Sequence, residues 1–458
     1  MAIQPAPITP DAVEAVPDAV IARSPQPPST IRRNYRLGVS NGVLFTLGDA
    51  LSNAGLVLAL LVRQLGGSLT LVGLLPALQG GGYLLPQLLV GGRVQAMSYK
   101  LPFYRQAAFV RLGACLALTI VIGGARVIPA QLSIWLIIVC YSVFNLSGGT
   151  STLAFQDVVA KVIPPRRRGS FFGMRQLLGG LLAFALAGPL VRWLLARDGP
   201  LLFPGNFAVL SGLSLLCYAG GMYAMLRIDE PPQAHPGPRL RVIEGLRRAP
   251  ALMRQNSDYR WFVISRMLTR IGQVAEPFYI IYAIEALRLP AGVAGIYLAL
   301  RAIAGALSNL FWGRLSDRQG TRRLVLISGA LLVGPPALVL VGPALVAALG
   351  LGSGGVLVAM GLVFLAVGAA NDGSSIAGTT YLLEVVPEDE RAIYLGLANT
   401  LLGLVTFLPV LAGWLIGHIG YPWTFAIGLL FALLGLAASL RLGETGTEPR
   451  GGGRGRRG

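Results

Sequence analysis

The chain has 458 residues, of which 54% are hydrophobic and only 13% are charged, against about 25% charged residues in soluble globular domains. A chain with so little polar surface cannot cover a soluble fold of this length, so the composition excludes a soluble globular protein and indicates an integral membrane protein. The formal charge of +18 comes mostly from arginines in alternate gaps between apolar runs, which is a signal of membrane topology and does not predict a nucleic-acid partner.

Twelve apolar runs follow one another along the chain, each close to the ~20 residues that a helix needs to cross a hydrocarbon core of ~30 Å. They cover residues 37–62, 68–91, 106–125, 131–153, 170–195, 205–227, 260–287, 291–312, 323–348, 354–381, 392–417 and 421–441. The pattern predicts an all-α integral membrane protein with twelve transmembrane helices. The longest gap divides them into two six-helix bundles, at residues 37–227 and 260–442.

Three polar segments lie outside the bundles. Residues 1–36 contain many prolines and no apolar core of the signal-peptide type, which predicts a disordered cytoplasmic tail. Residues 228–259 begin with prolines and continue as a basic stretch with apolar residues at helical spacing, which predicts a cytoplasmic linker with an amphipathic helix at the lipid interface. Residues 443–458 form a basic cytoplasmic tail, which we interpret as solvated.

The distribution of basic residues predicts the orientation of the chain. With the N-terminus inside, most of the 38 basic residues fall in inner loops and tails. The basic residues of the outer loops are Arg63, Arg126, Arg192, Arg197 and Arg288. Because loops rich in Lys and Arg stay in the cytoplasm, we expect a multi-pass protein of the cytoplasmic membrane with both termini in the cytoplasm.

The two halves repeat weakly at an offset of 223 residues. Four residues of the stretch Pro164–Gly173 match four of Pro387–Gly396 in identity or type, and Gly91 and Gly313 are separated by nearly the same distance. Both matches fall in predicted inner loops. They therefore favour duplicated, pseudo-symmetric halves related by an axis along the membrane normal.

A dense group of charges, GRLSDRQGTRR, lies between the eighth and ninth runs. It resembles the inner-loop signature of the major facilitator superfamily, in which a glycine is followed four residues later by an acid and then by basic residues and a second glycine. The matching residues are Gly313, Asp317, Arg318, Gly320, Arg322 and Arg323. Together with the twelve runs, the motif identifies the chain as resembling a bacterial transporter of this superfamily.

The resemblance implies an inner gate. Asp317 would face the start of the fifth helix and contact Arg168 in one state of the transport cycle; the alternative is that the charges only hold a solvated loop inside. In the first half Gln95 stands where the acid is expected, so the same gate is not implied there. Cations of that loop, such as Arg93 and Lys100, could instead meet an acidic cluster before the eleventh helix. Residues of that cluster and its flank are Glu384, Glu388 and Arg391.

Ionisable and amide side chains inside apolar runs are costly in a membrane and often mark a pathway. The candidates for the substrate and proton pathway are Asp49, Asn53, Arg111, Arg266, Arg270, Gln273, Glu276, Arg301, Asn371 and Asp372. Asn53 and Glu276 occupy equivalent places at the 223-residue offset. The alternative is a static ion pair, such as Asp372 with Arg301. Arg266 and Arg270 could bind an anionic substrate or reach towards the cytoplasm.

In the family, the first, fourth, seventh and tenth helices line a central cavity. The resemblance therefore implies a secondary active transporter that works by alternating access on a small molecule. Proton coupling is a hypothesis based on Asp49 and Glu276. Gly188 and Pro189, in the fifth helix, weakly favour export of drug-like compounds. The alternative function is a non-transporting sensor or lipid-handling protein of the same fold.

Other classes of protein find no support in the sequence. Neither lysine follows a glycine, so a phosphate-binding loop of a pump is excluded, and the GVSNG stretch lacks the strand that a hydrolase nucleophile requires. Three isolated cysteines do not form a metal-binding spacing. We therefore expect no enzymatic activity, cofactor or metal. The expected partners are a small-molecule substrate, protons and membrane lipid, with no nucleic acid, and the expected state is a monomer.

Overall fold

The computed structural model describes residues 27–95, 97–232, 253–386 and 391–443, and these residues form helices and connecting turns without a strand. The all-α fold class is confirmed. Most of the N-terminal tail, the amphipathic part of the linker and nearly all of the basic C-terminal tail lie outside the described residues, so those predictions are not addressed. The boundary of the N-terminal tail at residue 36 is wrong, because the first helix already begins at Pro28.

The helices follow the predicted runs, and we number them α1–α12. The uninterrupted helices are α2 (Leu69–Gln95), α3 (Leu101–Gly124), α4 (Ala130–Val162), α6 (Gly205–Leu226), α8 (Val293–Gln319), α9 (Thr321–Ala348) and α10 (Gly352–Val385). Two helices contain a π-helical turn: α1 consists of Pro28–Leu51, Ala54–Leu58 and Ala59–Gln64, and α5 of Pro165–Leu182, Ala183–Ala187 and Gly188–Leu194. The others are α7 (Ser257–Gly272, Glu276–Phe278 and Tyr279–Glu285), α11 (Arg391–Val405 and the part of Leu408–Ser439 before Gly420) and α12 (the remainder of Leu408–Ser439).

Within the described residues, eight helices are long and apolar enough to cross a membrane, which is fewer than the twelve predicted runs. Part of the difference has a physical cause, because α11 and α12 run on through Gly420 as one span and α7 is interrupted after Gly272. The helices α2 and α8 contain side chains outside the described residues, and the apolar stretch described in α8 is Val293–Asn309.

Two helices break inside the predicted apolar runs 37–62 and 260–287. In α1, the Asn53 side chain accepts a hydrogen bond from the Gly55 backbone N–H at 3.1 Å and so begins a new helical segment. In α7, the α-helix ends at Gly272 and a 3₁₀ turn begins at Glu276. Such breaks free backbone groups and commonly accompany functional sites in membrane helices.

The buried apolar residues show how the halves meet. At the predicted outer end, one large cluster includes residues of both halves, such as Leu75 and Phe278. At the predicted inner end, the first half packs around its own cluster with Phe171, and the second half around another with Tyr381. The halves are therefore joined at the predicted outer end, and each has a separate core at the inner end.

Gly320 separates α8 from α9 in the charged motif and has φ +81° and ψ 163°, a conformation that is essentially confined to glycine. We expect Gly320→Ala to lower the free energy of unfolding by about 1–3 kcal/mol, because the added Cβ makes this conformation strained. Gly113→Ala is the control, since an added Cβ there meets open space. The measurement is thermal unfolding in detergent, and equal transition temperatures for the two variants would contradict the expectation.

Candidate functional site

Two adjoining cavities lie within and between the halves. The first, of ≈ 220 Å³, is lined by α1 and α5 on one side and by α8 and α10 on the other. The second, of ≈ 260 Å³, lies among α1–α5 of the first half. Both are lined by Thr46, Asp49 and Gln176, so the cavities meet at these residues. Together they reach the size of ~300–1,000 Å³ that is typical of ligand pockets.

Asp49 lies at this junction, where the α1 carboxylate is accessible from the cavities. It accepts a hydrogen bond from the Tyr218 hydroxyl of α6 at 2.7 Å, and Ser52 shares that hydroxyl at 3.2 Å. Among the described residues, no cationic group lies within 4.0 Å of the Asp49 carboxylate. A carboxyl at membrane depth without an ion pair is a natural site for binding and releasing a proton.

Arg111 of α3 has a side chain enclosed by aromatic rings, and only 4% of the residue is exposed. Its guanidinium carbon lies 4.3 Å from the centre of the Phe144 ring and 4.9 Å from that of Phe45, with Tyr218 and Tyr83 at 5.6 and 5.9 Å. Nη2 donates to the Tyr83 hydroxyl at 3.2 Å, whereas the buried Nε has no hydrogen-bond partner. Cation–π contacts stabilise the charge in the absence of an ion pair.

The polar groups of the second half form a connected network. Arg301 of α8 pairs with Glu276 at 3.3 Å, and the Asn371 amide donates to the two Glu276 oxygens at 3.1 and 3.3 Å. Asn371 also accepts a hydrogen bond from Gln273. Asp372 accepts from Asn309 at 2.9 Å. The suggested ion pair of Asp372 with Arg301 is therefore wrong, because Arg301 reaches the acid of α7 instead.

The ten sequence-predicted pathway residues separate into groups. Five of them line the first cavity: Asp49, Asn53, Arg301, Asn371 and Asp372. Arg111 lines the second cavity, and Gln273 with Glu276 adjoins the first through Asn371. Arg266 is directed elsewhere, because it donates to the Ser374 carbonyl oxygen at 2.8 Å and its Nε has no partner. Arg270 is exposed and does not line the two cavities in the part of the chain described.

The sequence analysis missed Arg175 and Gln176 of α5, which line the second cavity. Arg175 lies inside the fifth apolar run, so its charge alone would have marked it as a pathway candidate. It donates to the Asn41 side-chain oxygen at 3.1 Å, and its guanidinium carbon lies 4.7 Å from the centre of the Phe155 ring. The tyrosines around Arg111 gave no such signal, because aromatic residues are common in any apolar run.

The predicted inner-gate residues are described only in part. Arg168 donates to the carbonyl oxygens of Ala160 at 2.6 Å and Ile163 at 3.1 Å, so it caps the end of α4. The side chains of Asp317, Arg318, Glu388 and Arg391 lie outside the described residues. The contact between Asp317 and Arg168 therefore stays a prediction.

Two other residues of the predicted gate contact helix ends of the second half. Arg322 donates to the Leu442 carbonyl oxygen at 2.7 Å, at the end of α12, and Glu384 accepts from the Thr321 hydroxyl at the start of α9. Arg323 is exposed. The described contacts of Arg322 and Glu384 are within the second half.

The described contacts of Lys100 lie in its own half, and a contact with the acidic cluster before α11 stays a prediction, because Glu388, Asp389 and Glu390 lie outside the described residues. The side chain is buried in its own half, 4.0 Å from Asp157, and donates to the Met97 carbonyl oxygen. Burial lowers the pKa of Lys100, and Asp157 opposes this shift. Arg93 lies outside the described side chains.

Small residues bring the halves together at the predicted outer end. A Cβ added to Gly73 of α2 would lie 2.1 Å from the Pro409 carbonyl oxygen, and one added to Gly413 of α11 would lie 2.2 Å from that of Leu69. These contacts require glycine, because the two backbones touch.

An ion pair also joins the halves at this end. Arg63, at the end of α1, contacts Glu285, at the end of α7, through two hydrogen bonds, of which the one from Nη2 to Oε2 is 3.2 Å long. The Tyr421 hydroxyl donates to the same Glu285 carboxylate at 3.3 Å. The two charged residues occupy nearly equivalent places in the two halves.

Comparison with known proteins agrees with this architecture. A family model for the Major Facilitator Superfamily matches residues 40–360 and 262–457. No curated protein sequence matches the chain.

Similar solved structures include a bacterial homologue of the iron transporter ferroportin in an inward-facing state (16% identity, 90% of this chain and 98% of that chain, TM-score 0.62). Others are a D-xylose–proton symporter (14%, 90% and 98%, TM-score 0.65) and a nucleoside transporter (15%, 88% and 98%, TM-score 0.63). At these identities the comparison shows a shared fold alone. The family model covers most of the chain, and the chain therefore belongs to the major facilitator superfamily of membrane transporters.

Proposed function

We propose that this protein is a proton-coupled secondary transporter of a small polar molecule, with Asp49 as the group that binds and releases the proton. The observation that carries the proposal is the position of the Asp49 carboxylate, which lines both cavities and has no cation within 4.0 Å among the described residues. A carboxylate in that position changes the charge of the substrate site each time it gains or loses a proton.

Glu276, the second acid of the proton hypothesis, takes a different part in this proposal. Its carboxylate is already engaged by Arg301 at 3.3 Å and by Asn371. Glu276 therefore orients Arg301 towards the first cavity, and Asp49 carries the proton.

Transport follows an alternating-access cycle in this proposal. The close contacts of Gly73 and Gly413 and the pair Arg63–Glu285 join the halves at the predicted outer end, which supports an inward-facing state. The arginine distribution supports a place in the cytoplasmic membrane with both termini in the cytoplasm, and the proposed state is a monomer.

Export of drug-like compounds is a second candidate, favoured by Gly188 and Pro189. A Cβ added to Gly188 would lie 2.5 Å from the Ala299 side chain of α8, so this glycine belongs to the contact between the halves. The cavities themselves carry Asp, Arg, Asn, Gln and Thr side chains, and these favour a polar substrate.

The test is transport by the purified protein in liposomes that contain a pH-sensitive dye, with a library of small polar compounds outside. We expect at least one compound to collapse an imposed pH gradient in protein-containing vesicles and not in empty ones. A sensor or lipid-handling protein of the same fold would leave the gradient unchanged for every compound. Substrate flux without any proton movement would contradict the coupling and leave transport intact.

A further inference from the structure

We propose that the second cavity, with Arg111 at its wall, binds the anionic group of a small organic acid whose body is planar and apolar. This inference names the substrate class of the transporter and so rests on the proposed function. The first observation is that Arg111 is a buried cation without a nearby negative charge. Arg111 is 96% buried, and no carboxylate of the described residues lies within 4.0 Å of its guanidinium.

The hydrogen bonding of Arg111 points the same way. A guanidinium has five N–H donors. In Arg111, Nη2 donates to the Tyr83 hydroxyl at 3.2 Å, and the buried Nε has no hydrogen-bond partner. Burying a cation with unsatisfied donors costs free energy that an anionic ligand would recover.

The cavity beside Arg111 has the composition of an anion site. Arg175 provides a second guanidinium in its wall, whereas the hydroxyls of Ser151 and Thr152, also in the lining, donate to the Gly148 carbonyl oxygen within α4. The opposing charge in the lining is Asp49, so the cavity carries a net positive charge when that acid is ionised and a larger one when it is protonated. Guanidinium groups are donors that proteins use for carboxylates.

The shape of the ligand follows from the remaining walls. Phe45, Tyr83, Tyr104 and Phe155 line the same cavity of ≈ 260 Å³. Flat aromatic walls favour a planar apolar body, and the small volume favours a single ring over a larger compound. The first cavity is different, because its lining includes two acids, Asp49 and Asp372, against Arg301. The charged group of an organic anion therefore belongs in the second cavity.

Asp49 connects this site to the proton. When Asp49 is ionised, it repels an anion beside Arg111, and when it is protonated, it does not. Proton binding and anion binding therefore favour each other. Because the two are bound together, they cross the membrane in the same direction. In the first half, the titratable and charged groups that line cavities with Asp49 are Arg111, Arg175, Tyr83, Tyr104, Tyr141 and Tyr218. Those of the other half are Arg301 and Asp372.

The experiment uses three probes of the same shape and different charge: benzoate, neutral benzamide and cationic benzamidine. Their binding to the purified full-length protein in lipid nanodiscs is measured by calorimetry above pH ~6, where carboxylic acids of this kind are ionised. We expect benzoate to bind, and more tightly as the pH falls. We expect benzamide to bind weakly and benzamidine not at all.

Three variants locate the site. Arg111→Gln is expected to weaken benzoate binding by at least ~30-fold, because it removes one partner of a buried charge pair. Arg111→Lys keeps the charge without the planar fork and should recover part of the affinity. It also guards against a variant that fails to fold. Arg197→Gln, at an exposed outer-loop arginine, is the matched control and should bind as the wild type does.

Each outcome decides the proposal. Benzamidine binding as tightly as benzoate, an unchanged affinity in Arg111→Gln with wild-type thermal stability, or a benzoate dissociation constant above about 10 mM would overturn it. The proposed function fails in a different way: benzoate would bind as expected, and the liposomes would show no proton-linked flux. Binding and flux therefore test the two proposals separately.

Discussion

Asp49→Asn is expected to abolish substrate flux driven by a pH gradient while the protein still folds and binds substrate. Asparagine keeps the shape of the side chain and can still contact the Tyr218 hydroxyl, which lies 2.7 Å from the native carboxylate. It cannot take up or release a proton. Wild-type substrate affinity should change with pH by a factor within the ~5–150-fold range of typical coupling, and the affinity of Asp49→Asn should be flat.

Two measurements distinguish lost coupling from a damaged protein. Exchange of labelled for unlabelled substrate across the liposome membrane needs no net proton movement, so Asp49→Asn should retain it. Asp198→Asn removes an exposed carboxyl of an outer loop and is the control for the loss of one negative charge. If pH-driven flux persists in Asp49→Asn, another group carries the proton, and the assignment to Asp49 is wrong.

Gly413→Ala is expected to shift the protein away from the state in which the outer end is closed. The added Cβ would lie 2.2 Å from the Leu69 carbonyl oxygen and 2.6 Å from the carbonyl carbon, both of which are backbone atoms that a side-chain rotation cannot move. Overpacking of this kind costs about 1–3 kcal/mol, which corresponds to a roughly 5- to 150-fold change in the ratio of closed to open states. Transport should fall because each cycle needs the closed outer end.

The distance across the outer end reports this shift directly. Spin labels at Val127 and Leu349, exposed in the outer loops of the two halves, can be placed in a variant whose three cysteines are replaced by alanine. Gly417→Ala is the matched control, one helical turn further along α11, where an added Cβ meets open space. An unchanged distance distribution in Gly413→Ala would show that the close backbone contact does not limit closure.

The sequence predicted the parts of the molecule that depend on local pattern. Apolar runs marked the helices to within a few residues at most ends, and the charged motif identified the family. Single ionisable residues in apolar runs, such as Asp49 and Arg301, were also found, because a charge inside a membrane is conspicuous wherever it occurs. Arg175 satisfied the same criterion and was overlooked.

Other features depend on which helices become neighbours, and no local pattern contains that information. The rings around Arg111 come from α1, α2, α4 and α6, so the enclosure appears only when the bundle is assembled. The pair of Arg301 with Asp372 on α10 was suggested as an alternative to a pathway role, whereas Arg301 lies 3.3 Å from Glu276, at the break in α7. That break could not be inferred from apolarity alone.

The interruptions of α1 at Asn53 and of α7 at Glu276 fall at equivalent places of the two halves, 223 residues apart. The charges do not follow this repeat. The counterparts of Asp49 and Arg111 in the second half are Gly272 and Gly334, and the counterpart of Arg301 in the first half is Leu78. If the halves arose by duplication of one ancestral unit, the interrupted helix was inherited by both copies. The ionisable residues of the two copies then diverged, so the framework stayed symmetric while the chemistry of the two halves became different.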